Sequence, residues 1–229
     1  MDQHDSLYRL DCLIESRSIL NHPFYVAWQR GELSREQLGT YASTYYAHVA
    51  SFRRYLESAA GSASDPVIRT ELERNLFDEL SDPKPHTELW LDFAEGLGLN
   101  RLAVFNAAPR PAAANIVSVF DRLTSNATVG ALAALYAYEA QQPELSRQKV
   151  DGLRRYYGVD CSRTLAYFDV HAETDIHHRN GERQALSRCL ADGGLCDVML
   201  ASASEALDAY WGLLDGICQE ADLGGPAPS

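Results

Sequence analysis

Two histidines and an aspartate set the first chemical question in this chain. In the segment Tyr167-Phe168-Asp169-Val170-His171-Ala172-Glu173-Thr174-Asp175-Ile176-His177-His178, the residues His171, Asp175 and His178 stand at i, i+4 and i+7. At roughly 100° of turn per residue, a helix gathers these three inside a wedge of about 60° and sends His177 about 120° away from His171. Two imidazoles and a carboxylate on one face suit a first-row transition metal. Further donors exist. Glu139 lies inside the apolar stretch Gly130-Ala131-Leu132-Ala133-Ala134-Leu135-Tyr136-Ala137-Tyr138-Glu139-Ala140, where a carboxylate is costly unless paired or bound to a cation. Glu79 and His86 are seven residues apart in Asp78-Glu79-Leu80-Ser81-Asp82-Pro83-Lys84-Pro85-His86. Pro83 and Pro85 break or kink the backbone between them, which can still aim both side chains at one centre.

Together Glu79, His86, Glu139, His171, Asp175 and His178 make three carboxylates and three imidazoles. Two divalent metals and a bridging hydroxide would neutralise them, and six protein ligands leave open positions on two octahedral ions. This set of nitrogen and oxygen donors without thiolate suits iron or manganese more than structural zinc. Each residue alone has a plainer reading: His86 could cap a helix, and Glu139 could pair with Arg147 or Lys149. Ferritin-like di-iron bundles use paired Glu-x-x-His motifs, and none occurs here, so the scaffold must be a different helical one. His48, on one face with Tyr41 and Tyr45, is a candidate neighbour of the site, whereas His4 and His22 carry weaker signals.

The elements that must position these donors read as helices. Leu7, Leu10, Leu13 and Ile14 form a helical stripe. Pro23 suits a first turn with Gly31 near its end, and Ser34-Arg35-Glu36-Gln37 is a capping box opening a long helix towards Ala59. Asp65-Pro66 starts another, with Leu72, Leu76 and Leu80 predicted on its inner face. The spacing predicts further helices from Thr87 to Gly96 or Gly98, and near 112–124, 128–142, 144–157, 162–180, 182–191 and 196–220. No stretch sustains period-two alternation, so the expectation is an all-α single-domain bundle over 1–220, with sites formed in its core, followed by a disordered tail over 221–229.

Bulk properties narrow the partners. The net charge of -12 argues against a nucleic-acid or anionic-membrane surface. Five cysteines without a CxxC read as reduced thiols. The polar, acidic start Met1-Asp2-Gln3-His4-Asp5 is unlike a secretory signal, and the longest apolar run is about half a membrane span. A cytoplasmic location is the expectation.

These residues and motifs resemble the family of the Chlamydia protein associating with death domains (CADD), among the haem-oxygenase-like di-metal oxidases. Relatives of that group include the PQQ-synthesis oxidase and thiaminase-like folds. The resemblance runs from about Leu10 to Gly216, through His22-Pro23-Phe24-Tyr25-Val26-Ala27-Trp28, Tyr41 to His48, Ala134 to Gln141 and Tyr167 to His178. It implies a haem-oxygenase-like fold and the six residues above as metal ligands, holding two irons or an iron–manganese pair. It also implies O2 and an external reductant as co-reactants, an unidentified electron donor, and a homodimer among the expected assemblies.

The activity implied is self-sacrificing synthesis of 4-aminobenzoate, a folate precursor, with Tyr25 as source of the ring, Lys149 as source of the amino nitrogen, and Tyr138 and Tyr167 as further site tyrosines. Only two of the 20 Lys and Arg residues are lysines, Lys84 and Lys149, which gives Lys149 minor independent weight because its amine can lose a proton and react where a guanidinium cannot. The competing expectation is a di-metal oxidase acting on an external amino acid, amine or fatty acid. A purely interacting protein is disfavoured, because a buried ionisable set is wasteful in a scaffold.

Overall fold

A computed structural model describes residues 3–81, 83–191 and 194–223. Within the described residues the structure contains only helices and their connections. They are α1 (Gln3–Ser16), α2 (Pro23–Arg30), α3 (Arg35–Ser62), α4 (Pro66–Ser81), α5 (His86–Gly96), α6 (Arg101–Phe105), α7 (Pro111–Thr124), α8 (Thr128–Glu139), α9 (Gln142–Tyr156), α10 (Ser162–Cys189) and α11 (Cys196–Glu220), with a short 3-10 turn at Ile19–Asn21 before α2. Of the tail expected to be disordered, 224–229 lie outside the described residues.

Local chemistry sets the boundaries. At the start of α3 the Ser34 hydroxyl accepts from the Gln37 amide at 3.1 Å, and the Gln37 side chain accepts from the Ser34 amide at 2.8 Å. These bonds satisfy two donors that the first helical turn would leave orphaned. Every residue of α8 from Val129 to Glu139 is buried. A helix apolar all round belongs at the centre of a bundle, and α8 packs against α11, α10 and α7. On its other sides α10 meets α9, α5 and α4, while α3 packs on α4, α7 and α5.

Four boundaries and faces differ from the sequence expectation. Helices predicted over 162–180 and 182–191 are one continuous α10. Its Gly181 is not a terminator but a point of close approach, because an added Cβ there would lie 1.8 Å from Glu71 Oε1. The helix predicted over 128–142 ends at Glu139, because Pro143 has no N–H to bond the Glu139 carbonyl. In α4 the inward face is Ile68, Leu72, Asn75 and Glu79, while Leu80, predicted inside, is exposed. The five-residue α6 and the 3-10 turn lay below the reach of periodicity, being too short to show a stripe.

Candidate metal centre and tyrosine–lysine pocket

The proline-broken segment ends α4 at Ser81 and starts α5 at His86, so Glu79 and His86 sit on different helices and still meet. His86 Nδ1 lies 2.9 Å from Glu79 Oε1, and His171 Nε2 from α10 lies 3.7 Å from the same oxygen. The His171 Nδ1 is 2.6 Å from the Tyr167 carbonyl oxygen, as a donor would be. This leaves Nε2 as the nitrogen that faces Glu79. Burial would raise the Glu79 carboxyl, but His86 and His171 outweigh it and hold the group well below the usual carboxylate range.

A second triad lies beside the first. His178 Nδ1 is 3.3 Å from Asp175 Oδ1 and 3.7 Å from Glu139 Oε1. In each group, Glu79–His86–His171 and Glu139–Asp175–His178, one donor atom per residue lies within 4.8 Å of the others. The i, i+4, i+7 register of α10 thus contributes His171 to one triad and Asp175 and His178 to the other. Glu139 is the last residue of α8, where the partial negative charge of the helix end adds to the demand for a cation.

The orphaned, converging donors of the second triad fit a divalent metal. Asp175 is 1 % exposed, and both its carboxylate oxygens lack a hydrogen-bond partner. Burial, with Glu139 adding to it, raises the Asp175 carboxyl. Burial would depress the His178 imidazolium, yet the Asp175 and Glu139 carboxylates beside it raise it to about 12. Positive charge is therefore stabilised at the point where the carboxylates converge. Oxygen and nitrogen donors in two buried triads without thiolate suit iron or manganese.

Three residues that sequence reasoning did not assign support the donors. Asn75 of α4 donates to both Glu139 oxygens, at 2.9 and 3.1 Å. Asp78 lies 3.0 Å from His178 Nε2, the arrangement that fixes a ligating imidazole by its outer nitrogen. Glu182, one turn beyond His178, is buried against Glu139. A lone Asn in an amphipathic helix gives no sequence signal. Glu182 could have been found, since it extends the 171, 175, 178 register to i+11.

Lys149 and the tyrosines around it form an aromatic compartment beside the donors. Lys149 Nζ sits over the rings of Tyr25, Phe168, Tyr41 and Tyr45 at 5.0, 5.2, 5.4 and 5.7 Å. Burial pushes its ammonium far below the ordinary lysine range, favouring the neutral amine. Tyr25 is buried and shares a 3.2 Å hydrogen bond with the Tyr41 hydroxyl. Burial first, then Tyr210 and Tyr41, raises its phenol well above the ordinary range. From Tyr210 the hydroxyl contacts run to Tyr45 at 3.1 Å and on to Tyr138 at 2.9 Å. Tyr138 and Tyr167 line one small cavity together with Glu79, Glu139, His171 and Asp175, and the Tyr167 ring stacks on His171 at 4.1 Å.

The remaining histidines do not join the donors. His4 and His177 are exposed, and His22 caps α2 by accepting from the Phe24 amide at 3.1 Å. His48 is buried against the Tyr138 ring at 4.9 Å, and burial lowers it to about 3 although Glu79 opposes the shift.

An all-α fold carrying two buried triads of nitrogen and oxygen donors defines a class, and comparison with known proteins agrees. The chain belongs to the family of iron-containing redox enzymes, whose model matches residues 40–211. It is 35% identical over 210 residues to a 4-aminobenzoate synthase of Chlamydia trachomatis, covering 91% of this chain and 90% of that protein. Its fold is haem-oxygenase-like. A Shewanella denitrificans domain with that fold superposes with a TM-score of 0.81 at 15% identity, over 99% of this chain and 97% of the other. A CADD-like protein of Nostoc punctiforme superposes at 0.80 and 20% identity, over 96% and 98%. No helix among the described residues is long and apolar enough to cross a membrane.

Proposed function

We propose that this chain makes 4-aminobenzoate in an oxygen-dependent reaction at a centre of two metals, iron with iron or iron with manganese, and that the ring comes from Tyr25 and the nitrogen from Lys149. The single observation that carries this reading is the placement of a buried lysine amine 5.0 Å from the Tyr25 ring, in a chain whose named relative is a 4-aminobenzoate synthase. Glu79, His86 and His171 would hold one ion, and Glu139, Asp175 and His178 the other. Such metals, when bound, supply the electrons and open positions for oxygen activation, with an external reductant resetting them.

The chain's own residues do the rest. Burial keeps the Tyr25 phenol protonated, and the 3.2 Å hydrogen bond it shares with the Tyr41 hydroxyl orients its O–H. Burial also keeps the Lys149 nitrogen lone pair available, which attack on an oxidised ring requires. Aromatic walls exclude water that would compete with the amine. Tyr138, with Tyr167 beside it, stands between the donor triads and the phenols that lead to Tyr25.

Peptide mapping before and after exposure to reduced metal, reductant and oxygen tests the proposal. Product should plateau at or below one per chain, ring label placed in protein tyrosine should appear in it, and both Tyr25→Phe and Lys149→Arg should abolish it. Repeated turnover on an added amino acid or amine, with Tyr25 unaltered, would establish an external-substrate oxidase instead.

A further inference from the structure

Glu182 is buried against Glu139, but packing alone does not explain a carboxylate there. It stands at the next position of the 171, 175, 178 register, one turn further along α10. Its side chain is 2 % exposed, no donor side chain reaches its carboxylate oxygens, and the group it meets is the Glu139 carboxylate. Its charged neighbours are Glu139, Asp175 and Glu71, all acidic. An unpaired buried carboxylate among other carboxylates is among the most costly groups a core can hold. Packing does not need it, since an apolar side chain of similar volume would fill the position without the charge.

The structure assigns Glu182 as a fourth carboxylate ligand of the centre, serving the ion held by Glu139, Asp175 and His178. The assignment rests on the two-metal reading above and adds to it. Glu182 contacts Glu139, whose two oxygens are already fixed by the Asn75 amide at 2.9 and 3.1 Å. Asn75 thus orients one carboxylate of this half, while Glu182 supplies a second oxygen donor from the α10 side. The halves of the centre then differ in chemistry. One has a single carboxylate and two imidazoles, from Glu79, His86 and His171, whereas the other has three carboxylates and one imidazole. Four carboxylates balance two divalent cations, so neutrality no longer needs a bridging hydroxide. This explains how a buried orphan acid is tolerated: it is the charge the second ion requires.

Manganese(II) titration of the metal-free full chain, followed by paramagnetic resonance of the free ion, tests the assignment. Wild type should bind two ions. Glu182→Gln should bind one as wild type does and the other about 10–100-fold more weakly. Metal-free Glu182→Gln and Glu182→Leu should melt at or above metal-free wild type, because each relieves the crowding of buried acids around Glu139. Two wild-type affinities in Glu182→Gln overturn the assignment and leave the two-metal reading intact. Loss of both ions together with a lowered metal-free melting temperature marks Glu182 as structural and also overturns it. Fewer than two ions in wild type would sink the two-metal reading first and this assignment with it.

Discussion

A lysine amine enclosed by four aromatic rings is costly to maintain. Burial lowers the Lys149 group well below its ordinary value of 10.5. Between the folded value and 10.5, the unfolded chain binds a proton that the folded chain does not, so folding is penalised and stability rises with pH. Above 10.5 the amine is neutral in both states and the penalty vanishes. Lys149→Met should therefore stabilise the metal-free protein by about 1 kcal/mol or more at pH 7, with the gain shrinking as pH approaches 10.5. Chemical denaturation at pH 7 and pH 10 checks this, and a pH-independent difference would mean the lysine is not buried as a neutral base. Among single residues, the donors most legible in the sequence were those whose type conflicted with their surroundings, such as Glu139 in an apolar run and the α10 histidines at helical spacing. Tyr25 and Lys149 carried no such conflict, because a tyrosine near a helix start and a lysine in a polar helix look ordinary until the fold encloses them.

At the scale of elements, the site depends on two interruptions. Pro83 and Pro85 separate α4 from α5, and the break turns His86 back onto Glu79. Pro143 stops α8 at Glu139, putting that carboxylate at a helix end. The first break was legible because prolines announce it, but its geometry was not. The second was missed because Pro143 sits in the first turn of α9, where proline is also a normal helix starter. Gly181 misled for the opposite reason: glycine signals either a stop or a close approach, and only the Glu71 side chain packed over α10 decides between them. A similar approach joins α7 to α11, where a Cβ on Gly216 would lie 2.2 Å from Ala112 Cβ. A methyl on a backbone-fixed residue cannot swing away, so Gly216→Ala must move one helix against the other. Such overpacking should destabilise the fold by about 1–3 kcal/mol, read as a lower denaturation midpoint, whereas an unchanged midpoint would show that these helices slide freely.

The whole molecule sets its core against its centre. Apolar side chains from α1, α3, α7, α8, α10 and α11 form one continuous buried cluster, whose burial is the main driving force for folding. The six proposed ligands come from α4, α5, α8 and α10, and they concentrate buried negative charge where those helices meet. The metal-free fold should therefore form yet carry a strain that cations relieve. A ligand bound only by the folded state stabilises it by about 2.7 kcal/mol at 100 times its dissociation constant. For a chain of this size that corresponds to a rise of about 5–10 °C in melting temperature per site. Anaerobic loading with Fe(II), alone or with Mn(II), should produce at least that rise and leave far-ultraviolet circular dichroism nearly unchanged, since the helices exist already. His171→Ala or Asp175→Ala should keep the helical signal and lose most of the rise. If metal instead restored helicity to a largely unfolded apoprotein, the apolar core would not suffice for folding, and the centre would be a structural clasp as well as a site for chemistry.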